Sequence, residues 1–229
     1  MSDFKKYVII VSGGTGSRMN SATPKQFLEL NKVPLLMHTI RAFNASDIHI
    51  VLVQNDTHAD IWASLCTKHQ FDVPHSLVSG GKTRFHSVQN GLRFIVENEA
   101  DLGSVLIAVH DGARPFVSKK IIEHSFQEVI DKKAVVPAIE SRDSLRIISD
   151  GGINKALKRE KVRLVQTPQT FFANILYDAY ASDYNAEFTD DASVVEKSGY
   201  PIHLIEGDIR NIKITYPIDI AIAESWMNN

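Results

Sequence analysis

An α/β fold, with a mostly parallel sheet covered by helices on both faces, is what the sequence predicts, and three observations carry it. Short β-rich runs alternate with amphipathic segments along the chain. Runs such as Ile50-Val51-Leu52-Val53 are apolar without a break, the pattern of a strand buried on both sides. The first run, Tyr7-Val8-Ile9-Ile10-Val11, empties into a glycine-rich loop, where backbone N–H groups can approach a ligand closely.

The elements follow in order. Strands are predicted over 7–11, 48–53, 75–78, 105–110, 134–139, 162–166 and 202–205. Helices are predicted over 34–44, 57–69, 84–97, 118–131, 173–182, 190–198 and 217–226. Pro34 and Pro217 suit a first helical turn, and Asp56 or Thr57 can cap the second helix. Residues 143–157 break the alternation: two short strands flank Ser149-Asp150-Gly151-Gly152, a strong turn signal. A two-stranded hairpin is marginal alone in water, so this arm, spanning about 139–159, must pack on the body or on a second subunit. No repeat, low-complexity tract or linker interrupts the chain, which reads as a single domain over 1–229 with a projecting arm.

Composition narrows the function. The chain has 229 residues, 44% hydrophobic and 23% charged, with a formal net charge of −2, so no basic excess argues for nucleic acid. Any polyanion must be held by a local cluster of cations. The single cysteine, Cys66, excludes an internal disulfide and sits at helical spacing with Ile61, Trp62 and Leu65, as a core residue would. The first apolar run is too short for a signal peptide core or a membrane span, and a reducing cytoplasm is the expected location.

The loop after the first strand carries the chemistry. Residues 12–27 bring Ser12, Gly13, Gly14 and Gly16 together with Arg18 and Lys25. Glycines expose backbone N–H groups to a polyanion and the cations neutralise it, which points to a nucleoside triphosphate. Two look-alikes fail. The third glycine of a dinucleotide fingerprint would fall on Met19, and the first glycine of a Walker A loop ending Gly81-Lys82-Thr83 would fall on Ser76.

The blocks SGGTGSRM and PKQFLEL, followed by SGGKTRFHSV at 79–88, VHDGARPFV at 109–117, LVQTPQTFF at 164–172, TDDASVVE at 189–196 and EGDIRNIKIT at 206–215, run in order over nearly the whole chain. Together they resemble the sugar-phosphate cytidylyltransferases, most closely the branch acting on a methylerythritol phosphate; a ribitol 5-phosphate branch is the alternative. The resemblance implies a Rossmann-like nucleotidyltransferase fold and CMP transfer from CTP to a sugar-alcohol phosphate, aided by Mg²⁺. It implies Arg18 and Lys25 as catalytic cations. CTP would be bound by Ser12, Gly13, Gly14, Gly16, Gly81, Ser87 and Asp111. Arg159, Thr167, Thr189 and Lys213 would hold the acceptor. The arm would form a homodimer, so that Arg159 serves the neighbouring subunit. Asp111, at the end of a buried strand, could contact the ribose, help hold Mg²⁺, or act as a cap. Arg114 reads equally as a structural ion pair or a ligand contact, and His110 as a satisfied strand histidine. Lys82 stands where such enzymes commonly carry an acid, which leaves backbone contacts to the base intact and a solvated lysine.

Overall fold

A computed structural model describes residues 4–14, 19, 23–45 and 47–227. Strand β1 (Lys5–Val11) leads, through the small pair β2 (Glu29–Leu30) and β3 (Val33–Pro34), to helix α1 (Leu35–Ala42). Then follow β4 (Ile48–Gln54), α2 (Ala59–Lys68), β5 (Ser76–Ser79), α3 (Arg84–Asn98), β6 (Val105–Asp111), α4 (Lys119–Lys132) and β7 (Ala134–Glu140). The arm is β8 (Leu145–Ile148) with β9 (Asn154–Leu157). The chain closes with β10 (Arg163–Val165), β11 (Gln169–Phe172), α5 (Ala173–Tyr180), α6 (Asp191–Lys197), β12 (His203–Glu206) and α7 (Pro217–Met227).

The sheet is built on β1, which pairs in parallel with both β4 and β6, while β5 extends β4 in parallel. Val8, Ile9 and Ile10 of β1 and Leu106, Ile107, Ala108 and Val109 of β6 are fully buried, as unbroken apolar runs require. Beyond β6 the sheet turns mixed. β11 lies antiparallel between β6 and β7, β10 pairs antiparallel with β7, and β12 pairs with β7 in parallel. Helices flank this sheet: α3 packs on β1, β4 and β5, and α4 on β7 and β11. The α4 stripe Ile121, Ile122, Phe126 and Val129 is buried, and the Ser118 side chain caps the helix by accepting from Ile121 N–H at 3.3 Å.

The predicted elements are present, with local corrections. β11 was not expected: four residues, Gln-Thr-Phe-Phe, show no alternation, because both faces are buried. Neither Asp56 nor Thr57 caps α2: both lie with His58 in a 3₁₀ turn ahead of it, which Asn55 caps by accepting from Thr57 N–H at 3.0 Å, and α2 itself follows from His58 with no side-chain cap. Pro34 ends β3 immediately before α1 rather than entering the helix. Asp190 caps α6, and Ser193 returns the bond in a capping box. Cys66 is half-buried and packs against the core, and burial pushes its thiol pKa up. The arm forms where the turn signal placed it, and Ile148 and Ile153 remain 72% and 74% exposed on it. Among the described residues no helix is long and apolar enough to cross a membrane.

Candidate active site

Open parallel sheets present ligands beyond the carboxyl ends of their strands, and the polar clefts of this chain lie there. β1 ends at Val11, whose carbonyl accepts from Gly112 N–H at 2.9 Å, while Ser12 N–H donates to Val53 at 2.8 Å. These bonds steer Ser12, Gly13 and Gly14 over the sheet edge. A cleft of about 420 Å³ opens against them, closed on other sides by Lys25, Gly81, Ser87, Asp111 and Lys213. A second cleft of about 210 Å³ is lined by Thr167, Thr189 and Asp190. Arg84, Asp111 and Lys213 line both, so the two share one charged wall.

Each position has a local cause. Lys25 opens a 3₁₀ turn, Lys25–Phe27, whose other two residues are buried and anchor it. α3 starts at the cleft because Thr83 caps it, its hydroxyl accepting from His86 N–H at 3.4 Å. Gly81 is required there: a Cβ would come within 2.3 Å of the His86 Cβ. The Ser87 hydroxyl accepts from Gly81 N–H and donates to the Thr83 carbonyl, both at 3.0 Å, bracing that loop. Lys82, exposed, lines the same cleft.

Asp111 is the electrostatic centre. Lys213 Nζ lies 3.1 Å and Arg114 Nε 3.2 Å from its Oδ2, and Arg84 Nε lies 3.6 Å from its Oδ1. Burial works to raise its pKa, but these cations, Arg84 foremost, hold it far below the usual carboxylate range. Arg84 in turn grips the fully buried Asp191 with two hydrogen bonds of 2.9 and 2.6 Å, and Tyr180 Oη donates to the same carboxylate at 2.6 Å. Burial opposes the Arg84 charge, yet Asp191 and Asp111 outweigh it and raise its pKa. The Tyr180 phenol is pushed up by burial and then by Asp191. Arg114, paired with Asp111 and donating to the Asn211 carbonyl at 2.8 Å, is a structural ion pair on the wall of the smaller cleft.

His110 is buried under the edge of Phe43 and fully bonded. Asp111 N–H donates to Thr167 Oγ1 at 3.1 Å, that hydroxyl donates to His110 Nδ1 at 3.0 Å, and Nε2–H donates to the Arg114 carbonyl at 3.1 Å. Burial, only partly offset by that backbone bond, pushes its pKa down to about 4. The unfolded chain therefore binds this proton more readily, and stability falls as pH drops from about 6.5 towards 4. The linkage amounts to about 2 kcal/mol between pH 7 and 5. In His110→Gln that pH slope should shrink by this amount in urea unfolding; an unchanged slope would contradict a neutral, buried ring.

The sequence reading and the structure part at several residues. Ser12, Gly13, Gly14, Lys25, Gly81, Ser87, Asp111 and Lys213 converge on the larger cleft, and Thr167 and Thr189 on the smaller. The Thr167 hydroxyl, read as an acceptor contact, is already committed to His110 and Asp111 because its strand end is buried. Arg159 lines neither cleft: it lies at the foot of the arm, exposed, with Glu160 3.7 Å away. Gly16 and Arg18 fall outside the described residues. Arg84, Asp191 and Gln26 were missed. A buried Asp191 beside the helix-capping Asp190 has no sequence signal, and Arg84 sat inside a block read for Gly81, Lys82 and Ser87.

The decisive observation is that one family model spans this geometry: "IspD: 2-C-methyl-D-erythritol 4-phosphate cytidylyltransferase" matches residues 7–229. The chain belongs to this family. The enzyme of that name from Azobacteroides pseudotrichonymphae is 47% identical over 228 residues, covering 98% of this chain and 99% of its own. The Bacteroides fragilis enzyme is 43% identical over 221 residues, covering 96% and 98%. Among solved structures, 4-diphosphocytidyl-2C-methyl-D-erythritol synthase from Anaerococcus prevotii superposes with a TM-score of 0.81 at 28% identity, covering 99% of this chain and 97% of that one. The Thermus thermophilus cytidylyltransferase gives 0.76 at 29% identity, covering 99% and 100%. The family model describes an erythritol phosphate acceptor rather than the ribitol alternative.

Proposed function

We propose that this chain transfers CMP from CTP to 2-C-methyl-D-erythritol 4-phosphate, releasing pyrophosphate and giving 4-diphosphocytidyl-2-C-methyl-D-erythritol in non-mevalonate isoprenoid synthesis. The observation that carries this reading is the shared wall: two clefts of unequal size meet at Arg84, Asp111 and Lys213. A triphosphate in the larger cleft and a phosphorylated acceptor in the smaller one would meet there.

An acceptor phosphate oxygen attacks the α-phosphorus, forming a P–O bond, while the bond to the bridging oxygen of the β-phosphate breaks and pyrophosphate leaves with that electron pair. The nucleophile is already ionised, so no general base is needed, in keeping with a His110 sealed in the core. What remains is positioning and charge stabilisation. Ser12, Gly13 and Gly14 cradle the nucleotide phosphates with Gly16. Lys25 and Arg18 stabilise the charge gathering at the α-phosphorus. Gly81 and Ser87 shape the base end. Lys213 holds the acceptor phosphate, and Thr189 a neighbouring oxygen. Asp111 keeps Lys213 and Arg84 aimed at the reacting centre.

Among the described residues no three His, Cys, Asp or Glu side chains form a metal site. Mg²⁺ on a nucleotide needs only one or two carboxylates beside phosphate oxygens, and Asp111 suits that pattern. Its Oδ1 meets only the longer 3.6 Å contact with Arg84 Nε, whereas Oδ2 is taken by Lys213 and Arg114. Bound there, Mg²⁺ would supply charge neutralisation on the triphosphate. Pyrophosphate release tests the whole reading: CTP with methylerythritol phosphate and Mg²⁺ should react, whereas CTP with ribitol phosphate, CTP alone, and the complete mixture without Mg²⁺ should not.

Lys213→Met should raise the acceptor KM roughly 10- to 100-fold, the range for losing a charge-assisted hydrogen bond, with the CTP KM nearly unchanged. A rise in the CTP KM alone would place Lys213 on the wrong substrate. The arm supports a homodimer, since Ile148 and Ile153 leave apolar surface that a partner would cover, bringing Arg159 to the partner's acceptor cleft. Sedimentation of a chain lacking residues 143–157 should show a monomer; a persisting dimer would refute this role. A chain acting as one domain in the cytoplasm completes the reading.

A further inference from the structure

Behind Lys25 lies a polar tie that the mechanism above does not use. Gln26 is 97% removed from solvent, at 3% exposure, and its Nε2 donates to the Ser12 carbonyl at 2.9 Å. The same amide nitrogen lies 3.2 Å from His58 Nδ1. Only N–H faces the ring, so Nδ1 accepts and carries no proton. Ser12 begins the glycine loop and Lys25 is the residue before Gln26, so one amide joins the loop, the Lys25 turn and the start of α2.

The surroundings hold His58 in place. Phe27 meets the His58 ring edge-on at 5.5 Å and stacks on Trp62 at 6.2 Å. Trp62 Nε1–H donates to His75 Nε2 at 3.0 Å, and His75 Nδ1–H then donates to the Val73 carbonyl at 2.7 Å. These two bonds fix Trp62, and Trp62 reaches His58 only through the ring of Phe27 between them.

We infer that His58 is a positioning residue: through Gln26 it fixes the spacing between the Ser12–Gly14 loop and the ammonium of Lys25. A buried amide with one unmet donor either turns away or drags its partners, and loses the geometry of both. Small displacements of a stabilising cation appear in the chemical step rather than in ground-state binding. This inference rests on the transfer reading for its kinetic form only.

His58→Leu keeps apolar bulk against Phe27 but offers no acceptor, whereas the Asn Oδ1 in His58→Asn falls close to where Nδ1 was. His58→Leu should lose about tenfold in kcat, the cost of one hydrogen bond, with both KM values within about twofold. His58→Asn should recover most of the loss. Wild-type kcat in the leucine variant, or an asparagine variant equally impaired, overturns the inference, the second because packing alone would then explain the loss. Hydrogen exchange gives a readout free of the assigned reaction. Amides of Gly13, Gly14, Phe27 and Leu28 should exchange faster in His58→Leu and return to wild-type rates in His58→Asn. If the wild-type chain released no pyrophosphate from the named acceptor, the transfer reading would fail, and exchange rates at those amides would still decide the role of His58: unchanged rates overturn it.

Discussion

Replacing Lys25 with alanine is expected to lower kcat by roughly a hundred- to a thousandfold, with the CTP KM changing by less than about threefold. The effect is large because the site is preorganised. The 3₁₀ turn Lys25–Phe27 is anchored through buried Gln26 and Phe27, and Lys25 lines the cleft. A cation held there stabilises negative charge as it gathers on the α-phosphorus. An alanine removes that charge without removing the two anchors that follow it, Gln26 and Phe27. Steady-state kinetics in both substrates would check the split. A variant with intact kcat and a raised CTP KM would mean that Lys25 binds the ground state and the transition state equally.

The second large effect is on stability. Asp191→Ala should destabilise the fold by about 3 kcal/mol, the low end for breaking a buried ion pair, because Arg84 keeps its 3.6 Å contact with Asp111. Arg84 loses both of its short bonds, and the Tyr180 hydroxyl loses its acceptor. The opposite outcome is expected when the whole group becomes apolar. Arg84→Met, Asp191→Leu and Tyr180→Phe together should regain most of the stability, since desolvating the two charges already offsets much of their attraction. Activity should not return, because Asp111 would have lost one of its three cations and the shared wall one of its three side chains. Urea unfolding with turnover on the same samples separates these results. Full stability in the single variant, or restored turnover in the triple, would contradict this account of the wall.

Most of the architecture was legible because long apolar runs and capped helices are local signals. Tyr7–Val11, Ile48–Val53 and the run starting at Val105 announce buried strands wherever they pair, and Pro217 announces the start of α7. β11 escaped because four residues buried on both faces carry no periodicity, and its direction is a property of its neighbours β6 and β7. The cap before α2 was legible only to within a residue or two, because Asp56 and Thr57 fall inside a 3₁₀ turn that Asn55 caps and that delays the helix to Ala59.

At the site, residue types alone pointed the glycine loop, Arg18 and Lys25 to anion chemistry, while the ordered motifs gave the family and, by resemblance, added Lys213. Which groups line the clefts and which face one another is decided only in three dimensions. The Thr167 hydroxyl turns inward to His110, Arg84 becomes the wall between two clefts, and Arg159 is carried away on the arm. The reason is physical: propensity and apolar pattern act between near neighbours in the chain, whereas a buried carboxylate such as Asp191 selects its partner from 107 residues away, by the cost of remaining unpaired.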